Sequence, residues 1–492
     1  MIDASGAALV ERFGQSHVLQ FWNELTELQK AQLQQQLTDV DWNLIGTYLS
    51  ELERPPTEAP EAPGTVAPPA HVVRIPTTKA ELEYWEQSRQ MGEEALREGK
   101  VGVVLLAGGQ GTRLGFPRPK GMYPIGPVSG KSLFEIFAEQ VIALSERVGR
   151  PIPYMIMTSD GTHEDTVAYF EQYDYFGLER DDVFFFKQGY APCLDSATGK
   201  LLLADKGVLS MSPDGHGGIL GAMLKAGLFD ELRNRGVDLL FLHQVDNPLV
   251  KVCDPAFLGL HLRQQADVSI KVVSKTGPEE KVGVAVDLDG RTAIIEYSDL
   301  PSQLANEREA NGELRYWAGS TAIHVFNRSF LEDVATSASN LPWHRARKKI
   351  PYVDDQGQSV QPTAENGVKF ERFLFDTLPL AKTALIVETI REDEFAPLKN
   401  STGAFSPDYV RQHMMQVVTK WFRTLGITIP ETAAIEVSPL FAATANDLAQ
   451  RCDELVDLKF DRPLYLGPKG MTQNALLSSA ESRQDQPITI GP

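Results

Sequence analysis

The stretch that most constrains the fold runs from Val101 to Lys120 and reads VGVVLLAGGQGTRLGFPRPK. It begins with an apolar run, Val101 to Ala107, of the kind found in a strand buried on both faces of a parallel sheet. A glycine-rich loop follows at once, and the cations Arg113 and Lys120 lie beyond it. Such loops present backbone N–H groups to phosphate oxygens, and both cations could bind the same oxygens. The stretch therefore predicts an α/β fold with an anion-binding loop.

The spacing of the loop glycines disfavours two common classes of nucleotide site. The loop lacks the Gly-Lys-Ser/Thr ending of the P-loop, and Gly108, Gly109 and Gly111 do not match the dinucleotide fingerprint. Neither ordinary NTPase chemistry nor hydride transfer is the first expectation. Glycine would let the backbone approach a ligand and adopt positive φ. The alternative at this point is a tight strand-to-loop turn whose glycines serve only backbone geometry.

Length, charge and cysteine content limit the class of protein. A chain of 492 residues predicts two or three domains. The formal net charge of −19 argues against nucleic-acid binding and against affinity for anionic lipid. Three widely spaced cysteines, without zinc spacing or a disulfide framework, favour a reducing cytoplasm. The first residues do not have the profile of a signal peptide, and no apolar run is long enough to span a bilayer. Neither a secretory signal nor a membrane span is therefore expected.

The pattern along the chain divides it into four predicted regions. Residues 1–51 have helical periodicity, and residues 52–78 are Pro-rich, which predicts a semi-rigid linker or an extended wrap over the surface. Residues 79–402 form the predicted catalytic domain, and residues 403–492 form a less regular C-terminal region with helical and extended parts. The last dozen residues are polar and are expected to fray.

Within the third region, apolar strands alternate with helical stretches. Strands are predicted at 101–107, 152–158 and 239–245, and a helix is predicted at 219–235. This alternation indicates a mostly parallel sheet with helices on both faces. Beyond Asp267 the pattern changes to β-hairpins, with a turn at Asp289-Gly290.

A second candidate site follows the apolar run LLFLHQ. Asp246 comes at the end of this predicted strand, where α/β folds place their ligands. Mg²⁺ prefers one or two carboxylates together with substrate phosphates, so a single Asp would suffice. Alternatively, Asp246 caps the following turn, which Asn247 before Pro248 would support.

Two further segments carry chemistry-bearing residues, although neither is specific alone. The segment SPDGHGG at 212–218 combines three glycines with His216, which could bind a ligand or simply be solvated. The segment REDEFAPLKN at 391–400 contains the cation Lys399 after a charge run of the kind that usually forms a solvated face.

Together these motifs resemble the eukaryotic-type UDP-sugar pyrophosphorylases, most closely the members that make UDP-N-acetylglucosamine. The resemblance covers roughly residues 80–402. The matching blocks are LAGGQGTRLG from Leu106, PKGMY from Pro119, FKQG from Phe186, MSPDG from Met211, VDN from Val245, LVKV from Leu249, KVGV from Lys281, EYS from Glu296, KIPYVD from Lys349 and REDEFAPLKN from Arg391.

The resemblance implies a Rossmann-like, GT-A-like nucleotidyltransferase fold: a mixed sheet with flanking helices, an N-terminal helical region and a C-terminal α+β region. It implies a uridylyltransferase that uses Mg²⁺ to convert UTP and a sugar 1-phosphate into a UDP-sugar and pyrophosphate. The implied product is UDP-N-acetylglucosamine. Neither nucleic acid nor membrane is an expected partner, and a monomer or weak homo-oligomer is expected.

The resemblance also implies a role for each matching residue on the nucleotide side. Gly108, Gly109 and Gly111 would line the nucleotide, Arg113 and Lys120 would hold the triphosphate and the leaving pyrophosphate, Gln188 and Gly215 would contact uracil, Asp246 would hold Mg²⁺, and Lys399 would reach the phosphates. Arg113, Lys120 and Lys399 are thus the implied catalytic residues.

The sugar side departs from the family pattern at two positions. The implied sugar pocket is formed by Gly283, Glu296, Phe373 and Phe375, and His216, Asn247 and Ser320 complete the predicted substrate-binding set. His216 and Ser320 each stand where the acetamido-sugar enzymes have Asn. Losing two amide contacts can change sugar discrimination by orders of magnitude. The alternatives are a hexose 1-phosphate uridylyltransferase with relaxed sugar choice and a catalytically silent UDP-sugar sensor.

Overall fold

The computed structural model describes residues 4–52, 64–337, 341–456 and 458–468. The chain forms two compact units. Unit 1 comprises Met1–Gly64, Gln188–Ala222 and Ser337–Thr377, and unit 2 comprises Thr65–Lys187, Met223–Thr336 and Leu378–Pro492. These units differ from the four consecutive regions predicted, because the N-terminal helices pack on strands that come from later parts of the chain.

The described strands and helices are numbered separately in chain order. The strands are β1 Val66–Ala67, β2 Val72–Val73, β3 Val101–Leu106, β4 Tyr154–Thr158, β5 Val183–Lys187, β6 Tyr190–Pro192, β7 Leu194–Asp195, β8 Leu203–Asp205, β9 Val208–Leu209, β10 Met211–Pro213, β11 Leu239–Gln244, β12 Val268–Ser274, β13 Val284–Leu288, β14 Arg291–Ile295, β15 Ala318–Asn327, β16 His344–Lys348, β17 Tyr352–Val353, β18 Ser359–Val360, β19 Gly367–Glu371, β20 Ala384–Glu388, β21 Ile435–Val437 and β22 Leu464–Leu466.

The helices are α1 Ala4–Arg12, α2 Glu27–Asp39, α3 Trp42–Leu52, α4 Lys79–Arg97, α5 Leu133–Val148, α6 Asp160–Gln172, α7 Ile219–Lys225, α8 Leu228–Asn234, α9 Pro255–Arg263, α10 Ser302–Ala305, α11 Arg328–Thr336, α12 Arg391–Glu394, α13 Pro407–Thr424 and α14 Ala445–Ala449. Among the described residues, none of these helices has the length and apolar character needed to cross a bilayer.

Unit 2 is built on a mixed sheet whose main strand order is β2-β20-β12-β15-β11-β3-β4-β5. β11, β3, β4 and β5 are mutually parallel, whereas β15 runs antiparallel to both β11 and β12. Every residue of β3 is buried, as the apolar run predicts for a central strand. The predicted mixed α/β fold is confirmed, and the strands predicted at 101–107, 152–158 and 239–245 are β3, β4 and β11.

Of two local predictions in unit 2, one turn is confirmed and one helix is wrong. The turn at Asp289-Gly290 is confirmed, because both residues have positive φ and connect β13 to β14 in an antiparallel hairpin. The single helix predicted at 219–235 is wrong. Gly227 adopts a left-handed conformation with φ of 68°, which separates α7 from α8.

The predicted Pro-rich linker coincides with strands at its C-terminal end. Residues 53–63 lie outside the described part of the chain, but β2 pairs in parallel with β20 at the edge of the unit 2 sheet. Proline is compatible with an edge position because one side of an edge strand needs no ladder hydrogen bonds. This part of the segment therefore adopts the extended, surface-following form rather than that of a free linker.

Unit 1 has its own apolar core. Side chains of α2 and α3, including Leu33, Leu37 and Ile45, pack with Leu194 of β7 and Phe370 of β19. The C-terminal part of unit 2 has a further core, in which α13 packs against the parallel pair of β21 and β22. The C-terminal α+β character predicted for this region is thus observed, and the last dozen residues lie outside the described chain.

Candidate active site

The glycine loop after β3 is closed by its own backbone. The amide of Gly111 donates to the carbonyl of Arg118 at 2.9 Å, and the amide of Lys120 donates to the carbonyl of Gly109 at 3.0 Å. The hydroxyl of Ser159, at the start of α6, donates to the carbonyl of Gly108 at 2.9 Å. The loop is therefore held in one shape by these bonds, while Gly109 and Gln110 at its tip are exposed.

The loop glycines have different surroundings. A Cβ atom added to Gly111 would lie 2.7 Å from the carbonyl oxygen of Phe116, whereas one added to Gly109 would meet nothing within 4 Å. The φ of Gly111 is −82°, and the left-handed residue is Gly115 with φ of 70°. The positive φ at this point of the chain is therefore supplied by Gly115 and not by Gly111. Gly111 is needed for close chain packing, and Gly109 faces open space.

Lys120 and Asp246 meet at the carboxyl ends of neighbouring parallel strands. β3 and β11 pair with Leu106 opposite Gln244, so the residues that follow each strand emerge at the same edge of the sheet. The Nζ atom of Lys120 lies 3.8 Å from Oδ2 of Asp246 and donates to the carbonyl of Leu398 at 3.4 Å. Two predicted site residues are thus brought together with the segment that leads to Lys399.

That segment is attached to the strand end by three further hydrogen bonds. The side-chain amide of Asn247 donates to the carbonyl of Glu394 at 2.7 Å and accepts from the amide of Ala396 at 3.1 Å. The amide of Leu398 donates to the carbonyl of Asp246 at 2.7 Å. Asn247 is 4% exposed and therefore supports this segment, while its predicted contact with substrate stays a prediction.

Two of the predicted cations have no partner within the described residues. Arg113 is exposed, Lys399 is half-buried, and the side chain of neither forms an ion pair or hydrogen bond there. An unpaired cation close to a glycine loop costs little folding free energy when it is hydrated, and it is available to bind a polyanion. Their predicted phosphate contacts stay predictions.

Two residues of the predicted sugar pocket, Gly283 and Glu296, also lie together in unit 2, next to Ser320 of the substrate-binding set. The amide of Ser320 donates to the carbonyl of Gly283 at 2.8 Å. A Cβ atom on Gly283 would lie 3.3 Å from Oε1 of Glu296. The same Cβ would lie 2.7 Å from Cγ2 of Ile294, so glycine is needed there for packing. Gly283 thus lies beside the Glu296 carboxylate, an acceptor of the kind that binds sugar hydroxyls.

The remaining predicted residues belong to unit 1. Gly215 has φ of 82°, and a Cβ atom there would lie 2.4 Å from the carbonyl oxygen of Arg372, so only glycine fits. Gln188 and its neighbour Gly189 lie near Asp214 in this unit, because a Cβ on Gly189 would be 2.5 Å from Oδ2 of Asp214. Burial raises the pKa of Asp214 to about 6, although Arg372 acts to lower it.

His216 is fixed against two aromatic rings. Its Nδ1 atom accepts a hydrogen bond from the amide of Leu374 at 3.0 Å, so the proton of the neutral ring is on Nε2. The rings of Phe373 and Phe375 lie 5.4 and 5.7 Å from the His216 ring. Burial, together with the nearby His344, lowers the pKa of His216 to about 4, so the ring is neutral at pH 7. The expectation that a loop histidine is merely solvated is wrong here.

Sequence reasoning missed two residues in these groups, His344 and Asp214. His344 lies 4.4 Å from the Phe373 ring and hydrogen-bonds Asp376 at 2.8 Å, but it occurs in the polar strand HRARK, which carries no motif. Asp214 was visible within SPDGHGG, where its position between glycines was the available signal. Both residues were overlooked because their partners, Asp376 for His344 and Arg372 for Asp214, lie far away in the sequence.

The donor set at Asp246 fits a magnesium ion that is shared with phosphates. Among the described residues there is no group of three or more His, Cys, Asp or Glu side chains that could hold a metal unaided. The Asp246 side chain is 12% exposed and offers one carboxylate at a strand end. Mg²⁺ commonly takes one or two carboxylates and completes its octahedron with water and substrate phosphates.

Residues 67–443 match the protein family described as UTP–glucose-1-phosphate uridylyltransferase. This stretch is more than half of the chain and contains every predicted site residue. The chain belongs to this family. The family membership and the enzyme class predicted from the sequence, a uridylyltransferase, are confirmed.

Relatives within the uridylyltransferase family are similar over most of their length. A UDP-N-acetylhexosamine pyrophosphorylase-like protein 1 from Xenopus tropicalis is 38% identical over 85% of this chain and 84% of its own. A UDP-N-acetylglucosamine diphosphorylase 2 from Arabidopsis thaliana is 37% identical over 90% of this chain and 91% of its own. The crystal structure of the uridine diphosphate N-acetylglucosamine pyrophosphorylase from Trypanosoma brucei, in complex with an inhibitor, has a TM-score of 0.80 and 26% identity, covering 94% and 98% of the two chains.

Proposed function

We propose that this uridylyltransferase makes UDP-N-acetylglucosamine and pyrophosphate from UTP and N-acetylglucosamine 1-phosphate. The observation that carries the proposal is the meeting of Lys120 and Asp246 at the end of β3 and β11, beside the loop that contains Gly109. The similarity to relatives named for N-acetylglucosamine and N-acetylhexosamine supports this choice of sugar.

The reaction requires positioning and charge neutralisation more than covalent catalysis. A phosphate oxygen of the sugar 1-phosphate attacks the α-phosphorus of UTP in line with the departing pyrophosphate, so one P–O bond forms as another breaks. Arg113, Lys120 and Lys399 would neutralise the negative charge that builds on the two polyanions. The open face of Gly109 would allow the nucleotide to approach the backbone.

We also propose that Asp246 holds Mg²⁺. The single carboxylate at the end of β11, which is 12% exposed, supports this assignment. When bound, the ion would neutralise charge on the phosphates. Lys120 would orient the Asp246 carboxylate through their ion pair and would donate to the leaving phosphates once these displace its bond to Leu398.

Relaxed sugar choice is the second candidate, and the fixed ring of His216 favours it. The Nε2 proton of His216 is the part of the ring that remains free of the Leu374 amide, so His216 can donate where the family's Asn could both donate and accept. A hexose 1-phosphate without an acetamido group could then be accepted. A silent sensor is disfavoured, because a sensor has no need of three cations for a leaving group.

A pyrophosphate-release assay with UTP, Mg²⁺ and a panel of sugar 1-phosphates tests these alternatives. The proposal predicts the highest kcat/KM with N-acetylglucosamine 1-phosphate. Equal or better use of glucose 1-phosphate would favour relaxed choice, and no turnover with any sugar would favour a sensor. Omission of Mg²⁺, or its replacement by K⁺ at equal ionic strength, is expected to abolish turnover.

We further propose a cytoplasmic location and a monomer or weak homo-oligomer. The three cysteines are free thiols, two of them buried, which suits a reducing compartment. The net charge of −19 produces self-repulsion that opposes tight self-association. Cell fractionation and sedimentation at several protein concentrations test the two statements.

A further inference from the structure

A buried charge cluster lies behind the proposed catalytic segment. Lys271, in the middle of β12, is 2% exposed, and its ammonium donates to Oδ2 of Asp254 at 2.7 Å. It also donates to the two carboxylate oxygens of Glu394 at 2.9 and 2.7 Å. Glu394 is 1% exposed, and its Oε1 atom forms a second ion pair with Nζ of Lys251 at 3.2 Å. We call Lys271, Asp254 and Glu394 the Lys271 cluster.

Lys271 and Asp254 hold each other in the charged form. Burial acts to lower the pKa of Lys271, but the charges of Asp254 and Glu394 outweigh it and hold that pKa above its ordinary value. Burial likewise acts to raise the pKa of Asp254, but Lys271 and Lys251 outweigh it and hold that pKa below its ordinary value. Replacing such an ion cluster by apolar side chains is often neutral or stabilising. Stability alone is therefore a weak reason for the cluster.

The cluster is connected to the site through one short segment. Glu394 ends α12, and its carbonyl accepts from Asn247, whose side chain also bonds the amide of Ala396. Leu398 then bonds to Asp246 through its amide and to Lys120 through its carbonyl. Lys399 is the next residue. The carboxylate of Glu394 is thus an anchor placed five residues before a proposed catalytic cation.

The anchor reinforces two elements that Asn247 and Asp246 already join by hydrogen bonds to residues 394–398. Asp254 caps the N-terminus of α9 by accepting from the amide of Ala256 at 3.0 Å, and α9 follows the loop that begins at Asp246. Lys271 therefore bonds one carboxylate from the Asp246 side of the site and one from the Lys399 side. This buried ammonium fixes the separation of the two arms together with the Lys251–Glu394 ion pair and the hydrogen bonds of Asn247 and Asp246.

We propose that Lys271, with Asp254 and Glu394, is a positioning group that fixes the position of Lys399 relative to Lys120 and Asp246. The proposal rests on the uridylyl-transfer function proposed above. It names residues that do not touch substrate and act through the backbone of residues 394–399. A displacement of about 1 Å in a positioned group can cost about 100-fold in rate, so loosening the anchor should lower kcat.

The primary test is Glu394→Gln, which keeps the side-chain volume and removes the charge that Lys271 and Lys251 bind. A second variant combines Lys271→Met, Asp254→Asn and Glu394→Gln, which removes the three charges together and avoids an unpaired buried ion. The matched control is Glu139→Gln. Glu139 pairs with the buried Lys131 in the same unit, and its other oxygen accepts from Ser438 rather than from the 394–399 segment.

Four readouts separate positioning from a merely structural role: kcat, KM for UTP, the urea unfolding midpoint, and hydrogen exchange of the amides at 396 and 398. We expect both cluster variants to lower kcat 10- to 100-fold with a smaller change in KM, and to accelerate exchange at these amides. Glu139→Gln should change the unfolding midpoint without changing kcat.

A double-mutant cycle with Lys399→Ala decides whether the cluster acts through Lys399. If it does, Glu394→Gln should lower kcat little further in the Lys399→Ala background. Multiplicative losses would overturn the proposal, as would wild-type kcat in both cluster variants or loss of the folded state in both. No turnover by the wild-type protein would overturn the proposed function itself, whereas wild-type turnover that the variants retain overturns only this proposal.

Discussion

Lys120 and Asp246 come from the ends of two adjacent parallel strands, and their charged atoms lie 3.8 Å apart although 126 residues separate them in the chain. Both side chains are more than four-fifths buried. In the proposed reaction the cation would bind phosphate oxygens and the carboxylate would bind the metal ion. Each charge is suited to this because it is already partly desolvated and oriented.

Replacing either member of this pair should impair catalysis in a distinguishable way. Lys120→Met is expected to lower kcat/KM for UTP by about 100- to 1,000-fold through loss of charge stabilisation. Asp246→Asn should lower kcat and raise the Mg²⁺ concentration needed for half-maximal rate. Steady-state kinetics over a Mg²⁺ titration measures both effects. An unchanged Mg²⁺ requirement in Asp246→Asn would contradict the assignment of Asp246 as the metal ligand.

Lys399→Ala should lower turnover strongly and leave the fold intact. The side chain is half-buried and forms no ion pair or hydrogen bond in the described structure, so its removal costs little stability. A loss of about 100-fold or more in kcat is expected from the missing positive charge. Exposed Lys382 provides a matched control as Lys382→Ala, for which wild-type kcat is expected. Unchanged turnover in Lys399→Ala would remove Lys399 from the mechanism.

The same methyl group added at the two loop glycines should affect stability at Gly111 but not at Gly109. Gly109→Ala should leave the unfolding midpoint unchanged and raise KM for UTP by about tenfold or more, because the new methyl occupies the face assigned to the nucleotide. Gly111→Ala should lower both stability and affinity, because its Cβ would press on the backbone of Phe116.

A matched control for this pair is Gly221→Ala in α7, whose added Cβ also meets nothing within 4 Å. Alanine is the better helix former there, so stability should rise by at most about 1 kcal/mol while KM stays the same. Wild-type KM in Gly109→Ala would show that the nucleotide does not approach this face.

The raised pKa of Asp214 predicts a pH-dependent gain in stability on its neutralisation. Its pKa is about 6 in the folded protein and about 3.9 in an unfolded chain, so the folded state binds the proton more tightly. The free energy of unfolding therefore falls as pH rises from 4 to 6, by up to about 3 kcal/mol from this group. Asp214→Asn should stabilise unit 1 at pH 8 and have little effect at pH 4.

Urea unfolding of the two proteins at pH 4, 6 and 8 measures this difference. Asp355→Asn, a change at an exposed aspartate of the same unit, should give no such pH-dependent gain. A stability difference between Asp214→Asn and the wild-type protein that is the same at pH 4 and pH 8 would contradict a raised pKa in the folded state.

The sequence by itself determined the elements whose signal is local. The apolar run of β3 and the Asp289-Gly290 turn are confirmed because burial on both faces and positive φ each demand particular residue types at adjacent positions. The order of motifs likewise gave the family and its enzyme class. The helix at 219–235 was misjudged, since the periodicity continues across Gly227 while the backbone does not.

Tertiary structure alone decided which distant residues share an environment. No local pattern marks Lys271 as buried, because its two carboxylate partners are 17 and 123 residues away and the chain must fold before they meet. The same holds for His216, whose pKa is lowered by burial and by His344. Periodicity encodes the faces of single elements, whereas burial, pairing and pKa depend on what the rest of the chain brings to each face.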